Sequence, residues 1–560
     1  MDWEIRTQPL IEDMLRAGKI VGVPLCTGKR TMEVRRITGM DDLEKGFYGL
    51  LEPKAHTARL RPDEIDLGLI PCCTCTASGD RLGYGAGFYD VYLAQSHFLR
   101  VVLCRSRTMS CRRTRPADGR RHFRSGHQPH RPQLTLKIGK CPSRHAPVSL
   151  YNRVERGIYM TKFSKRWSDP ALVETCDVMD RLFQPMTAAD GIAFSIGSPA
   201  QEALPVDELQ EISQDVFRRD GRGVEALAYG TKMGIRDLRE IIAAQLLAPK
   251  GVKTTADNIL ITAGGLETMK LMCDVFLDPG DVVLVESPTF VHCVMIFQIF
   301  NAVCIPCQMD DQGLILEDVE AKIKKYHPKM IYTVPTFQNP TGVTLAQDRR
   351  QKLAELAEKY DILVLEDDPY RDIRFKGKDL LPIKAFDQTG HVVLANSFSK
   401  IFSPGSRLGY VVAPDDIMEK ISYAKVATNS HSSKISEVLA AEFFKRGYFP
   451  EHLKRICALY RERCAVMMDA IDTYFPAGTK HTYPDGGLFT WAELPGDIDT
   501  TELLKETMDQ LHISFVAGSG FYVEGGDAGK HCMRISFGAV TPEKIQVGIK
   551  RLGDYIKTKL

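Results

Sequence analysis

From about residue 160 onward, helix-length stretches alternate with short apolar runs, and no other feature of the chain limits its fold so sharply. Helices are expected at 314–326 and 349–360, and strands at 330–334, 362–366 and 392–395. Short apolar runs separated by amphipathic helices pair as parallel strands joined by crossover helices, which predicts an α/β fold with a large, mostly parallel sheet. Ligands collect where the strands of such a sheet end. Closer to the C-terminus, Gly486-Gly487-Leu488-Phe489-Thr490-Trp491 and Met533-Arg534-Ile535-Ser536-Phe537 follow a separate pattern that reads as a small α+β domain. The large domain is expected over about 205–435, and the small one over about 160–200 and 440–560.

Two further segments precede this region. With 560 residues, 44% of them hydrophobic and 26% charged, the chain can bury more than one core. Residues 1–98 carry α/β signals, with apolar runs at 20–25 and 65–71. Residues 99–159 change character. Arginines crowd there among His122, His127 and His130 without a periodic apolar pattern, so a disordered linker, or a segment read out of frame ahead of Met160, is expected. No apolar run reaches the ~18 residues of a membrane helix and the start lacks a signal-peptide pattern, so a cytoplasmic protein without a membrane partner is expected. The 15 cysteines are scattered, which favours reduced thiols. A net charge of +2, and an arginine run without interleaved aromatics, give no argument for nucleic acid. Cys72, Cys73, Cys75, Cys104 and Cys111 fit no paired-ligand spacing, so no metal is expected.

The predicted strand ends carry chemistry. Lys400, in Ser397-Phe398-Ser399-Lys400, offers an amine. Asp367, at the end of a strand, offers a carboxylate that would keep a pyridine nitrogen protonated, while Tyr370 and Asn339 can hydrogen-bond a ring hydroxyl. The turn containing Gly265 and Leu266 opens a helix whose free N–H groups suit a phosphate, with Ser397, Ser399 and Arg407 at hand. Phe290 is placed to stack on a ring. An amine, an anion site and an acidic ring partner, in one order along an α/β chain, are what pyridoxal phosphate requires. Each motif alone is commonly structural; their ordered joint occurrence reverses that reading.

The order Tyr229-Gly230, Gly264-Gly265, Ser287-Pro288-Thr289-Phe290, Asn339-Pro340-Thr341-Gly342, Asp367-Asp368-Pro369-Tyr370, Ser397-Phe398-Ser399-Lys400 and Met533-Arg534 resembles the fold-type-I, class I/II aminotransferases, in particular the 2-aminoadipate and kynurenine branch. The resemblance covers about 160–560. It implies transamination between an α-amino acid of 2-aminoadipate, aromatic or branched-chain type and a 2-oxo acid such as 2-oxoglutarate, with Lys400 as the catalytic lysine. It also implies a homodimer in which Tyr229 reaches the partner subunit's phosphate, Arg534 clamps the substrate α-carboxylate, and Gly197 lines the substrate side with Asn339. Two departures are visible. Gly264-Gly265-Leu266-Glu267 stands where many relatives have serine and glutamines, and Arg181 alone is available in the N-terminal helix for a distal carboxylate. A lyase using the same cofactor is an alternative.

The front segment has its own resemblance. Gly83-Tyr84-Gly85-Ala86-Gly87, Val23-Pro24-Leu25, Gly49-Leu50-Leu51-Glu52-Pro53 and Asp66-Leu67-Gly68-Leu69-Ile70-Pro71 are similar to 5-formyltetrahydrofolate cyclo-ligase, an ATP-dependent enzyme. The match is partial: Cys72-Cys73-Thr74-Cys75 replaces a glycine and an acidic residue of the family. A bifunctional protein with cyclo-ligase activity is therefore the alternative and not the expectation.

Overall fold

Ile259–Thr262, Met330–Thr333, Leu363–Asp367 and Val392–Ser397 are buried at every position, polar residues included. A strand that shows no wet face belongs in a sheet covered on both sides. The computed structural model describes residues 8–26, 32–45, 51–61, 67–72, 74–75, 81–82, 100–105, 136–139, 164–182, 188 and 190–560, and divides into two units, Met1–Arg153 and Val154–Leu560.

In the second unit the strands are β1 (Ile259–Thr262), β2 (Val282–Ser287), β3 (Val303–Asp310), β4 (Gly313–Leu314), β5 (Met330–Thr333), β6 (Leu363–Asp367), β7 (Val392–Ser397) and β8 (Gly409–Val412). They form one sheet in the order β1-β8-β7-β6-β5-β2-β3-β4. Strands β3, β2, β5, β6 and β7 are mutually parallel, as the alternating pattern predicts. Strand β8 runs antiparallel to both β7 and β1. Its N-terminus therefore lies at the edge where the parallel strands end, so that edge gathers loops from both kinds of strand. Helices join the parallel strands: α2 (Val291–Ile299) follows β2, α3 (Leu316–Tyr326) follows β4, and α4 (Gln347–Tyr360) follows β5. Helix α1 (Gly265–Phe276) leaves the end of β1.

A second sheet lies toward the C-terminus, with Lys480–His481, Phe489–Glu493, Cys532–Ser536 and Val516–Ala517 antiparallel in that order. The short strand Ile192–Ala193 pairs with Ile513–Ser514. Phe194 then stitches the chain to two strands: its N–H donates to Ser514 O and its carbonyl accepts from Ser536 N, both at 2.8 Å. This fixes the path of 195–198, which reach the site described below. No helix among the described residues is long and apolar enough to cross a membrane.

In the first unit, Val21–Cys26, Met32–Ile37 and Ala58–Leu60 form an antiparallel sheet over a small core of Val21, Val23, Ile37 and Leu43. Leu67–Cys72 pairs in parallel with Arg100–Arg105, which pairs antiparallel with Leu136–Gly139. Both Arg100–Arg105 and Leu136–Gly139 lie within the segment from residue 99 that was expected to be a linker. Val101-Val102-Leu103 has strong β-propensity, and the surrounding arginines hid it in the sequence. The glycine-dense turn at 79–90, apart from 81–82, and His122, His127 and His130 lie outside the described residues.

The small domain is held by the long helix Tyr448–Tyr474 crossing Pro542–Lys557 at close range. A Cβ on Gly553 would sit 2.3 Å from Tyr474 O and 2.7 Å from its carbonyl carbon. Backbone cannot yield as a side-chain tip does, so Gly553→Ala is expected to destabilise the protein by about 1–3 kcal/mol, measured by chemical denaturation.

Candidate active site

The acidic end of the site sits on β6. Its last residue, Asp367, is buried, and its Oδ2 accepts a 2.9 Å hydrogen bond from the Tyr332 hydroxyl on the neighbouring β5. Among the described residues, no side chain bonds its Oδ1 and no cation pairs with it. Burial, reinforced by Asp368 and only partly offset by Tyr332, pushes the Asp367 carboxyl up to about 7. The next residue is treated differently, since buried Asp368 lies 3.3 Å from Arg371 Nε. Asp367 is thus a carboxylate that the protein leaves open to a cation from outside the chain.

The amine lies three residues beyond β7. Lys400 Nζ donates to Gly197 O at 2.7 Å and stands 5.8 Å from the Tyr370 ring centre. Desolvation, then the charges of Arg534 and Arg407, push its pKa down to about 8. A substantial neutral fraction at neutral to mildly alkaline pH is what a nucleophilic or proton-shuttling lysine needs.

The anion end is built from β1, α1 and the start of β8. Gly264, with φ of 92°, is the residue before α1, and a Cβ there would lie 2.7 Å from Arg407 Nη2. Arg407 donates through the same nitrogen to Ala263 O at 3.2 Å. On the β7 side, Ser397 Oγ and Ser399 Oγ are 3.0 Å apart. Gly265 ties this end to the acid, because a Cβ on it would be 3.9 Å from both Asp367 Oδ1 and Ser397 Cβ. The first N–H groups of α1, two hydroxyls and a guanidinium therefore converge one residue's breadth from Asp367.

The third part comes from the small domain. Arg534 is buried, and its Nη1 donates to Asn339 Oδ1 at 2.9 Å and its Nη2 to Ser195 O at 2.7 Å. Its Nε has no hydrogen-bond partner, and no carboxylate lies within ion-pair distance among the described residues. Burial pushes its pKa down to about 10. The guanidinium carbon lies 4.4 Å from the Phe489 ring centre and 5.4 Å from that of Phe521. Asn339 also meets the Tyr370 hydroxyl, and Tyr370 packs edge-on against Phe489 with centroids 5.7 Å apart.

The structure thus brings together Lys400, Asp367, Tyr370, Asn339, Arg534 and Gly197, with Gly265, Ser397, Ser399 and Arg407 at the anion end. Three expected residues stand apart from these contacts. Phe290 is half-buried and packs on the His292 ring at 4.8 Å. The Leu266 side chain is 36% exposed. Tyr229 is 93% exposed and meets His431 edge-on at 5.9 Å. The side chain of Arg181 lies outside the described residues. Sequence reasoning missed Tyr332, Ser195, Phe489 and Phe521. Phe489 follows the quoted glycine pair and Tyr332 lies in a predicted strand, whereas Ser195 carried no signal because it acts through its backbone carbonyl.

The charges test whether pyridoxal phosphate fits. A buried carboxylate without a cation, a buried guanidinium without an anion, and an anion cradle beside a lysine match a cationic ring nitrogen, a substrate carboxylate, a phosphate and an aldehyde.

Comparison with known proteins gives the same answer. Residues 189–552 match the model of the aminotransferase class I and II family, and residues 1–107 match that of the 5-formyltetrahydrofolate cyclo-ligase family. The aromatic-amino-acid aminotransferase 1 of Thermococcus litoralis is 33% identical over 403 residues, covering 71% of this chain and 95% of that protein. The 2-aminoadipate transaminase of Thermus thermophilus is 32% identical over 377 residues, 66% of this chain and 92% of that protein. The crystal structure of Pyrococcus horikoshii kynurenine aminotransferase, in complex with PMP, superposes with a TM-score of 0.66 at 35% identity, covering 74% of this chain and 100% of that one.

The open carboxylate has a thermodynamic signature. Between about pH 4 and 7 the folded cofactor-free protein keeps a proton on Asp367 that the unfolded chain has released, so stability falls as pH rises through that window. Glu286 and Glu366, both pushed up to about 7 by burial, act with the same sign. Asp367→Asn is expected to raise the stability of the cofactor-free protein at pH 8 by roughly 1–3 kcal/mol, with little effect at pH 4, while abolishing cofactor retention. Denaturation curves at the two pH values check it.

Proposed function

The chain belongs to the class I and II aminotransferase family, and from that membership we propose that it transfers the amino group of a large aromatic α-amino acid to 2-oxoglutarate as a homodimer. It is a pyridoxal-phosphate-dependent enzyme, as its family is. The observation that carries the substrate reading is Arg534, a buried cation with an unsatisfied Nε, flanked by Phe489 and Phe521.

The bound cofactor supplies a cationic ring that stabilises negative charge at the donor's α-carbon. The chain's own groups do the remainder. Asp367 keeps the ring nitrogen protonated, and the N–H groups of Gly265 and Leu266, with Ser397, Ser399 and Arg407, hold the phosphate. Tyr370 and Asn339 would bear on the ring. Arg534 takes the α-carboxylate in a fork, exchanging the Ser195 carbonyl for a charged acceptor. Its aromatic flanks exclude water and present an apolar wall to the donor side chain. Lys400 Nζ, whose lowered pKa lets it both accept and release a proton near neutrality, moves the α-proton. Gly197 O orients that amine.

Relatives named for aromatic amino acids and for kynurenine, at 33% and 35% identity, support an aromatic donor. The dimer is supported by a surface on which Tyr229, Leu227 and Tyr423 are all more than half exposed. Covered by a second copy, Tyr229 would reach the partner's phosphate. A separate reading rests on the match of residues 1–107, namely ATP-dependent cyclo-ligase activity in the first unit. It requires ATP-dependent consumption of 5-formyltetrahydrofolate by the full chain.

A donor panel with 2-oxoglutarate tests the substrate. Phenylalanine, tyrosine and kynurenine are expected to exceed leucine and 2-aminoadipate in kcat/KM, and a preference for 2-aminoadipate would overturn the aromatic reading. Arg534→Gln is expected to raise the amino-acid KM by roughly 10²-fold, the loss of a charged bidentate contact of about 3 kcal/mol, with a smaller fall in kcat.

A further inference from the structure

The anion end contains an acid. Glu267 is the third residue of α1, inside the helical turn whose N–H groups face the phosphate position. A carboxylate there can fold onto the free N–H groups of its own helix, as in a capping box, and would then compete with a phosphate for the same donors.

Glu267 is held back from doing so. Its Oε2 accepts from Ala263 N–H at 2.5 Å, one residue before Gly264, and lies 2.6 Å from Lys425 Nζ. Its Oε1 accepts from Asn429 Nδ2 at 2.6 Å. Lys425 and Asn429 are one turn apart on the helix Asp415–Asn429, so one helix face restrains both oxygens. Lys425 is completely buried, and its second partner is Ser432 Oγ at 2.9 Å, which in turn donates to Ile261 O at the end of β1. On the opposite side, Arg407 Nη2 holds the Ala263 carbonyl. Ala263 is therefore fastened at its N–H by Glu267 and at its C=O by Arg407, immediately ahead of the left-handed Gly264.

We propose that Lys425 is a positioning residue for the cofactor phosphate: it draws Glu267 away from the N-terminus of α1 and balances its charge, leaving those N–H groups to the dianion. This rests on the pyridoxal-phosphate reading of the site. A purely structural ion pair and a positioning pair differ in the sign of one substitution.

The test is equilibrium binding of pyridoxal phosphate to the full-length cofactor-free protein, with inorganic phosphate as competitor, beside the thermal midpoint of each variant. Lys425→Met is expected to weaken both ligands about tenfold, the scale of one unbalanced charge at a helix N-terminus, and to lower the midpoint. Glu267→Gln keeps an oxygen for Lys425 while removing the negative charge. It is expected to lower the midpoint and yet bind inorganic phosphate about threefold more tightly. The double variant is expected to recover the affinity lost in Lys425→Met. Affinity that falls with the midpoint in Glu267→Gln, or no change in Lys425→Met, overturns the proposal. Failure of the unaltered protein to bind pyridoxal phosphate would instead overturn the cofactor reading.

Discussion

The desolvation of Asp367 is the constraint on which the site depends. Placing a carboxylate at the end of a strand buried on both faces raises the free energy of its charged form, and one hydrogen bond from Tyr332 offsets only part of that. Arg534 presents the same problem with opposite sign, held by Asn339 and the Ser195 carbonyl but by no anion among the described residues. The two charges do not pair with each other. Each waits for a charge supplied by something that enters between them, and Lys400 stands in the same space with its own charge discouraged by burial and then by Arg534 and Arg407.

Topology explains why these groups meet. Asp367 and Lys400 come from consecutive parallel strands, so their loops leave on one edge. Arg407 lies two residues before the antiparallel β8 and so reaches that edge from the loop that leads into the strand. The small domain contributes Arg534 and, through the stitched segment at Phe194, the carbonyls of Ser195 and Gly197.

Much of this was legible in the sequence because strands buried on both faces read as unbroken apolar runs, and the chemical residues sit in the loops that follow them. The runs at 330–334, 362–366 and 392–395 correspond to β5, β6 and β7. Contacts that depend on remote backbone were not legible. Ser195 to Arg534 spans 339 residues and Gly197 to Lys400 spans 203, and both use carbonyl oxygens that every residue possesses. In the first unit, Arg100–Arg105 was hidden for another reason: three apolar residues cannot outweigh the arginine-rich composition around them when a segment is judged by its average.

Glu267 and Asp367 show how the fate of a buried charge separates ligand-facing groups from supporting ones. Both are acids within the same loop cluster, and the sequence set Asp367 at a strand end but gave Glu267 no role. Glu267 has both oxygens satisfied by Lys425, Asn429 and the Ala263 N–H, so its charge is closed within the protein. Asp367 has one hydroxyl and, among the described residues, no partner for its other oxygen, so its charge is open. A closed charge can only orient its neighbours, whereas an open one lowers its free energy when a complementary group binds. Arg534 is open in the same sense, since its Nε is without a partner among the described residues, whereas the fully buried Arg350 has its guanidinium taken up by the carbonyls of Leu345 and Pro335.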